Sequence, residues 1–126
     1  KNGYEITDNQ VLIVEDSMGY IFGAYLAHAI ENKSQYYGSG ENFIFKLSPT
    51  LKCYRWTSNN NYYIISDKSH LAIGGGGDGF ALQVDEDIDT GVSCNSDTYK
   101  NEQLSSGEFF RVLNFEVWSL SEYLAV

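Results

Sequence analysis

Four carboxylates lie within five residues of the chain, in the segment Asp85-Glu86-Asp87-Ile88-Asp89. Carboxylates at this density could bind a divalent cation or serve as general acid and base. A calcium loop of the EF-hand type needs glycine at its sixth position and glutamate at its twelfth, but counting from Asp85 these positions hold Thr90 and Ser96. The spacing excludes an EF-hand and leaves a looser oxygen cage or, more simply, solvated acids at the end of a strand.

A glycine run precedes this acidic segment, since five of the six residues from 74 to 79 are glycine. Gly74, Gly76 and Gly79 match the G-x-G-x-x-G spacing of a dinucleotide-binding loop, which must open a helix. Residues 80–84 instead alternate with the period of two that is typical of a strand, and no Lys-Ser/Thr pair follows Gly79, as a P-loop requires. We therefore expect the glycines to permit close backbone approach or positive φ angles, and we predict no cofactor.

Histidine chemistry is limited by number, because His28 and His70 are the only two histidines. Two imidazoles cannot form a His-rich zinc site, and we predict no metal centre of that kind. A nucleophile elbow is also excluded around Ser39, because Tyr37 and Glu41 stand where that motif needs glycine.

The two cysteines, Cys53 and Cys94, are too few for a disulfide scaffold or for a zinc site of four thiolates. A reducing compartment is therefore expected. No Lys, Arg or His adjoins Cys94, and nearby Asp97 should raise the pKa of the thiol, so a peroxidase-like cysteine is disfavoured. Cys53, among strand residues, is expected to fill space in the core.

The elements that position these residues belong to one domain, since 126 residues with 43% hydrophobic content support a single core. Eight Lys and Arg against 17 Asp and Glu give a net charge of −9, which argues against nucleic acid or an anionic membrane as the partner. No apolar stretch approaches the ~18 residues of a membrane span. The opening Lys1-Asn2-Gly3 lacks the pattern of a signal peptide, so a cytoplasmic location is expected.

The hydrophobic pattern predicts a mainly β fold, in which ten Tyr, seven Phe and two Trp pack between glycine-rich turns. We predict a two-layer antiparallel β-sandwich with a few short helices, around residues 26–33 or 102–106. A hairpin is expected between the first two strands, a second around Pro49, and a third that joins the strands at 51–56 and 62–66. The last strand should carry a bulge at Leu113-Asn114. The predicted strands cover residues 11–14, 20–27, 43–47, 51–56, 62–66, 71–73, 80–84 and 110–118.

Five segments, read in order, resemble the TLDc domain of the oxidation-resistance protein family. The similarity spans about residues 11–120, with residues 1–10 as a lead-in and 121–126 as a tail. The segments are Tyr37-Gly38-Ser39-Gly40-Glu41-Asn42-Phe43-Ile44-Phe45, Tyr54-Arg55-Trp56-Thr57, Leu71-Ala72-Ile73-Gly74-Gly75-Gly76-Gly77, Phe80-Ala81-Leu82-Gln83-Val84-Asp85-Glu86-Asp87-Ile88 and Phe115-Glu116-Val117-Trp118.

The resemblance implies a β-sandwich that protects against oxidative stress without an established catalytic cycle. It also implies a protein partner, in several members the vacuolar proton-pumping ATPase, and therefore an interaction domain and not an enzyme. Glu41 and Glu116 lie beside strand aromatics, so we expect either to be a partly buried carboxylate. The motif positions to test first are Gly40, Glu41, Gly74, Gly75, Gly76, Gly77, Asp85, Asp87, Glu116 and Trp118.

Two departures from the family pattern carry expectations of their own. TLDc domains normally begin with a helical section of some tens of residues, whereas ten residues precede the first strand here, so an apolar sheet face should lie uncovered. Family members often carry a cysteine before the segment that matches Thr98-Tyr99-Lys100-Asn101, and here that position is Ser96. A thiol-based antioxidant role is not expected.

Two other functions stay open at this stage. One is a structural component of a filament or large complex. The other is a hydrolase-like enzyme that uses Glu41 or the carboxylates between Asp85 and Asp89.

Overall fold

The computed structural model describes residues 6–66 and 70–123, and every regular element within these ranges is a β-strand. None of these residues forms a helix long and apolar enough to cross a membrane. The strands are β1 Ile6–Asp16, β2 Ile21–Leu26, β3 Lys33–Tyr37, β4 Phe43–Ser48, β5 Lys52–Arg55, β6 Ile64–Ser66, β7 His70–Ile73, β8 Leu82–Asp85, β9 Thr90–Val92 and β10 Phe109–Tyr123.

All ten strands form one continuous antiparallel sheet in the order β3-β6-β7-β8-β9-β10-β1-β2-β4-β5. The long strand β10 joins its two halves, because it pairs with β9 at Phe109–Arg111 and with β1 beyond that point. Side chains of both halves enter one buried cluster, and Phe22 meets Phe110 edge to face at 5.2 Å between ring centroids. The sheet therefore folds over its own core, which confirms the mainly β sandwich.

Turn chemistry explains the first two hairpins. The fully buried Asp16 carboxylate accepts hydrogen bonds from the backbone N–H groups of Met18 (2.9 Å) and Tyr20 (3.0 Å), which closes the β1–β2 turn. Its second oxygen accepts bonds from the N–H and hydroxyl groups of Ser106, both at 2.8 Å. The β4–β5 hairpin surrounds Pro49, which follows a cis peptide bond. Both hairpins confirm the sequence pattern.

The predicted bulge in the last strand is present. Glu15 pairs with Asn114 and Asp16 pairs with Val112, so Leu113 is skipped in the register. An extra residue of this kind bends its strand and increases the local twist. It lies next to the point where β10 passes from β9 to β1, so it helps one strand serve both layers.

The hairpin predicted between residues 51–56 and 62–66 is wrong. Strand β5 lies at the edge of the sheet beside β4, whereas β6 lies between β3 and β7. Residues 57–63 cross between the layers and are held by the 97–98 segment, since Thr57 N–H donates to the Thr98 carbonyl at 2.9 Å. The polar stretch before β6 is therefore a crossover and not a tight turn.

Two strands and the helices also differ from the prediction. Strands β3 and β9 were not expected, because β3 is polar and irregularly paired and β9 has three residues with Gly91 at its centre. Residues 26–33 run from the end of β2 to the start of β3, and residues 102–106 are irregular, with bends at 105 and 106. In that second segment Leu104 N–H donates to the Ser93 hydroxyl at 2.8 Å, so its donors are satisfied by tertiary contacts and not by a helix.

Candidate functional site

The glycine run that follows β7 packs between two other segments of the chain. Gly74, Gly76 and Gly77 have φ angles of +76°, +76° and +60°, which an L side chain rarely adopts. The Gly75 carbonyl accepts hydrogen bonds from the N–H groups of Asp97 (2.9 Å) and Thr98 (3.3 Å). Positive φ and close backbone approach were the sequence expectation, and the structure confirms both.

A buried hydroxyl joins the three segments. Thr98 is fully buried; its Oγ1 accepts the Gly75 N–H at 2.9 Å and donates to Asn60 Oδ1 at 2.6 Å. Asn60 Oδ1 also accepts the N–H of Tyr62 at 3.0 Å, and the Asn60 carbonyl accepts the indole N–H of Trp56 at 2.7 Å. The network fixes the backbone on both sides of the glycine run.

Two tyrosines, Tyr36 and Tyr62, lie beside the backbone of the glycine run. The rings of Tyr36 and Tyr62 stack with centroids 4.7 Å apart and planes inclined by 29°. A Cβ atom at Gly75 would stand 3.1 Å from Tyr62 Cδ2 and 3.3 Å from the Tyr36 hydroxyl, so a side chain there would crowd both tyrosines. The rings remain partly open to solvent, with Tyr36 36% and Tyr62 42% exposed. Burial first, and then the neighbouring Tyr62, raise the pKa of Tyr36 above its usual value.

An acidic cleft adjoins the tyrosine pair. Asp97 Oδ2 accepts the N–H of Gly77 at 3.1 Å, and a Cβ atom at Gly76 would stand 3.0 Å from the same oxygen. The cleft has a volume of about 370 Å³ and also contains Asp78, which accepts a hydrogen bond from Asn95 Nδ2 at 3.1 Å. We call Tyr36, Tyr62, Gly75, Gly76 and Asp97 the tyrosine platform.

Gly40 belongs to the same region, whereas Glu41 does not enter it. A side chain at Gly40 would overlap the ring of Trp56, and Trp56 in turn packs on Tyr63 at 5.5 Å between centroids. The Glu41 side chain is exposed. The expectation that it is partly buried is wrong, because the chain turns outward between Gly40 and the buried Asn42.

The acidic segment 85–89 closes the β8–β9 hairpin. Asp85 accepts hydrogen bonds from the N–H of Asp89 at 3.0 Å and the hydroxyl of Thr90 at 2.8 Å, and these bonds hold the pKa of its carboxyl below the usual range. Asp87 is exposed in the turn. Throughout the described ranges, no three His, Cys, Asp or Glu side chains come together to hold a metal ion. The observed role of Asp85 is therefore to close the turn.

Glu116 and Trp118 lie on the outer face of β10. The Trp118 indole N–H donates to Glu116 Oε1 at 2.9 Å, and both side chains are exposed, so the partial burial expected for Glu116 is also wrong. Their strand partners in β1 are Ile13 and Val11. Outward apolar side chains continue across this layer and line a groove of about 490 Å³, formed by Val11, Ile13, Phe43, Phe45, Leu47, Leu51, Lys52 and Cys53. This chain thus exposes an apolar sheet face, as expected.

A charged cluster at the edge strand was missed by the sequence analysis. Glu102 Oε2 accepts a hydrogen bond from the Tyr54 hydroxyl at 2.6 Å and lies 3.3 Å from Lys52 Nζ and 3.5 Å from Lys46 Nζ. The Tyr54 bond first, and then the two lysines, lower the pKa of Glu102 to about 2. Burial, and then Glu102, raise the pKa of Tyr54. No local sequence motif indicates this cluster, because Glu102 lies about fifty residues after Lys52 and Tyr54 along the chain.

The environment of Cys94 disfavours its reactive thiolate form. Burial first, and then Glu108 and Asp78, raise the pKa of Cys94. The direction agrees with the sequence expectation, but the acids responsible are Glu108 and Asp78 and not Asp97. Cys53 is exposed on the edge strand β5, so its expected place in the core is wrong.

Nine of the ten motif positions therefore fall in three places, and the exposed Glu41 belongs to none of them. Gly40 and the glycines at 74–77 meet around the 56–63 segment, Asp85 and Asp87 occupy the β8–β9 turn, and Glu116 with Trp118 lies on the outer face of β10. Sequence reasoning missed Tyr36, Tyr62 and Thr98, which complete the first group. The one sequence signal that could have indicated these residues was the presence of tyrosines together with a run of glycines, which have no side chains.

Comparison with known proteins gives a consistent result. A model of the TLDc domain family matches residues 3–121. Nuclear receptor coactivator 7 of Mus musculus and of Homo sapiens are each 40% identical to this chain over 109 residues, and Oxidation resistance protein 1 of Homo sapiens is 36% identical over 109 residues. Each alignment covers 86% of this chain but 12% of the relative, so the chain corresponds to one part of much longer proteins.

Proposed function

Because this chain belongs to the TLDc domain family, we propose that it is a non-catalytic interaction domain that acts in protection against oxidative stress in the cytoplasm. The relatives support the stress-related part, since one of them is named Oxidation resistance protein 1. Its partner under this proposal is a large protein assembly, the vacuolar proton-pumping ATPase first among the candidates.

The tyrosine platform is the observation that carries the interaction role. Tyrosine at a solvent-facing surface supplies contact area at low conformational cost, and its combination with asparagine and glycine resembles the composition of the antigen-binding loops of antibodies. The backbone beneath Tyr62 is fixed by the Asn60–Thr98 hydrogen bonds, so little ordering entropy remains to be lost on binding.

The non-catalytic part is supported by the positions of the candidate carboxylates. Asp85 uses its carboxylate oxygens to close a turn. The Glu41 side chain is exposed, and the backbone N–H of Glu41 donates to Ser39 Oγ at 3.3 Å. The raised pKa of Cys94 lowers its thiolate fraction and so disfavours direct scavenging of peroxide by this thiol.

The test is direct binding of the purified chain to the isolated peripheral sector of the vacuolar ATPase, measured by interferometry at about 50 mM and 300 mM salt. With a net charge of −9, binding should weaken as salt rises. An unrelated acidic domain of equal charge is the control. Equal signals from the two proteins, or no signal at low salt, would remove this partner from consideration.

A further inference from the structure

We propose that the tyrosine platform, together with the acidic cleft beside it, binds an arginine-bearing segment of a partner protein. This inference rests on the proposed interaction role and adds the surface and the chemistry of what it recognises. Three features of the platform support this binding: its open rings, its fixed acid and its charge.

The stacked rings provide the first feature. A guanidinium group binds well over the face of a tyrosine because the ring quadrupole attracts a cation and the two planar groups can stack. Tyr36 and Tyr62 are held together at 4.7 Å and remain more than one third exposed, so their outer surfaces are available to such a group.

The fixed acid provides the second feature. A Cβ atom at Gly75 would lie 3.1 Å from the Tyr62 ring, and one at the next residue, Gly76, would lie 3.0 Å from Asp97 Oδ2, so the rings and the acid flank adjacent residues of the glycine run. Successive Cα atoms lie about 3.8 Å apart, so one short peptide segment can reach the rings and the acid together. The N–H of Gly77 holds Asp97 Oδ2 in place, which presents a positioned acceptor to an arginine fork.

Charge provides the third feature. Among the described residues that line the cleft, Asp78 and Asp97 are acidic and only Lys100 is basic. The whole chain carries 17 acidic against eight basic residues, so long-range attraction also favours a basic segment. The same charge opposes a nucleic-acid strand, which could otherwise stack its bases on the tyrosines.

The experiment titrates the chain with two peptides, acetyl-Arg-Gly-Arg-Gly-Arg-amide and its lysine counterpart, at about 50 mM salt. Backbone amide shifts measured by NMR locate the binding site. The arginine peptide should shift resonances of residues 74–77, Tyr36 and Tyr62 and should bind more tightly than the lysine peptide, because lysine cannot stack or form a bidentate contact.

Matched variants decide the assignment. Asp97→Asn keeps an oxygen for the Gly77 N–H but removes the charge, and we expect it to weaken binding about three- to five-fold, whereas Asp87→Asn removes the same charge from the distant turn and should change binding less than two-fold. Tyr62→Ala should lose a similar factor, while Tyr62→Phe retains the stack and should bind like the unmodified chain. Lys100→Gln should tighten binding, because it removes the one cation of the cleft.

Unfolding curves and dispersed amide spectra establish that each variant is folded. If Tyr62→Ala does not fold, Tyr62→Phe and Asp97→Asn still test the assignment of the binding site. Shifts scattered over all acidic surfaces, or equal effects of Asp97→Asn and Asp87→Asn, would overturn the assignment. So would stronger binding of an oligothymidine strand than of the arginine peptide. If the ATPase binds all these variants equally, the tyrosine platform is not the binding surface, while the proposed interaction role stands. If no protein binds the unmodified chain, the interaction role itself fails.

Discussion

The indole ring of Trp56 occupies the space in which a side chain at Gly40 would begin. The ring cannot move away easily, because its N–H donates to the Asn60 carbonyl at 2.7 Å and its face packs on Tyr63. Gly40 is therefore a packing requirement, and through Trp56 it supports the segment that carries the tyrosine platform.

Replacing Gly40 tests this requirement. Gly40→Ala should lower the free energy of unfolding by about 1–3 kcal/mol, which is typical when an added methyl group overfills a packed site. Urea denaturation monitored by tryptophan fluorescence measures the loss. Gly107→Ala is the control, because its nearest neighbour outside the adjacent residues lies at 3.3 Å and can be accommodated with a smaller loss. Equal losses in the two variants would contradict the role of the Trp56 contact.

The hydroxyl of Thr98 gives a second prediction. Thr98→Val keeps the shape of the side chain but leaves the buried N–H of Gly75 without its acceptor at 2.9 Å and removes one of the two hydrogen bonds that Asn60 Oδ1 accepts. A buried donor left unpaired costs about 1–3 kcal/mol, and we expect a loss in that range by urea denaturation. Thr50→Val, which removes an exposed hydroxyl from the β4–β5 turn, should stay within roughly 0.5 kcal/mol of the unmodified chain. Hydrogen exchange at Gly75 should accelerate in Thr98→Val alone.

Much of the fold follows from local pattern, but the site does not. Alternation of apolar and polar side chains predicts a strand such as β8, because a period of two fixes which residues face the core, and a short apolar run predicts β1. The alternation pattern does not determine which strands pair in the sheet. The polar residues before β6, for example, are compatible with either a turn or a crossover. Thr98, Asn60 and Gly75 come from three segments, so their hydrogen bonds depend on tertiary folding and leave no spacing motif.

The charged cluster at Glu102 predicts a pH dependence. Its pKa falls from 4.5 to about 2 in the folded chain, chiefly through the Tyr54 hydrogen bond. Because the folded value is the lower one, the carboxylate contributes stability that is fully present above the unfolded pKa and is lost as the pH falls from about 4.5 to about 2. Glu102→Gln should therefore be less stable than the unmodified chain at pH 7, and the difference should shrink towards pH 2.5. Urea midpoints at pH 7, 4 and 2.5 measure it.

The size of this effect is limited by exposure, since Glu102 and Lys52 each expose 54% of their side chains and salt will screen their attraction. Glu86→Gln removes one negative charge from the β8–β9 turn and serves as the control for net charge. A Glu102→Gln profile parallel to that of the unmodified chain at all three pH values would show that the cluster does not contribute to folding stability.

The environment of Cys94 predicts a slow thiol. Burial, Glu108 and Asp78 raise its pKa, so less of it is thiolate at pH 7.5 than in the unfolded chain. In a Cys53→Ser background, alkylation of Cys94 by iodoacetamide should be slower in the folded chain than in urea, as followed by mass spectrometry. Glu108→Gln should accelerate the folded reaction, whereas Glu41→Gln should not. A folded rate equal to or above the unfolded rate would revive a thiol-based function.

The outer apolar face predicts a surface property that is separate from folding stability. Leu51 is 77% exposed at its groove, so its replacement removes few native contacts but breaks the continuity of the apolar surface. Leu51→Glu should reduce binding of the dye ANS and lower self-association in sedimentation velocity, while the free energy of unfolding stays within roughly 0.5 kcal/mol. Met18→Glu is the control, because Met18 is 73% exposed in the β1–β2 turn, away from that face. If both variants lower dye binding equally, the effect reflects added charge and not the apolar face of this layer.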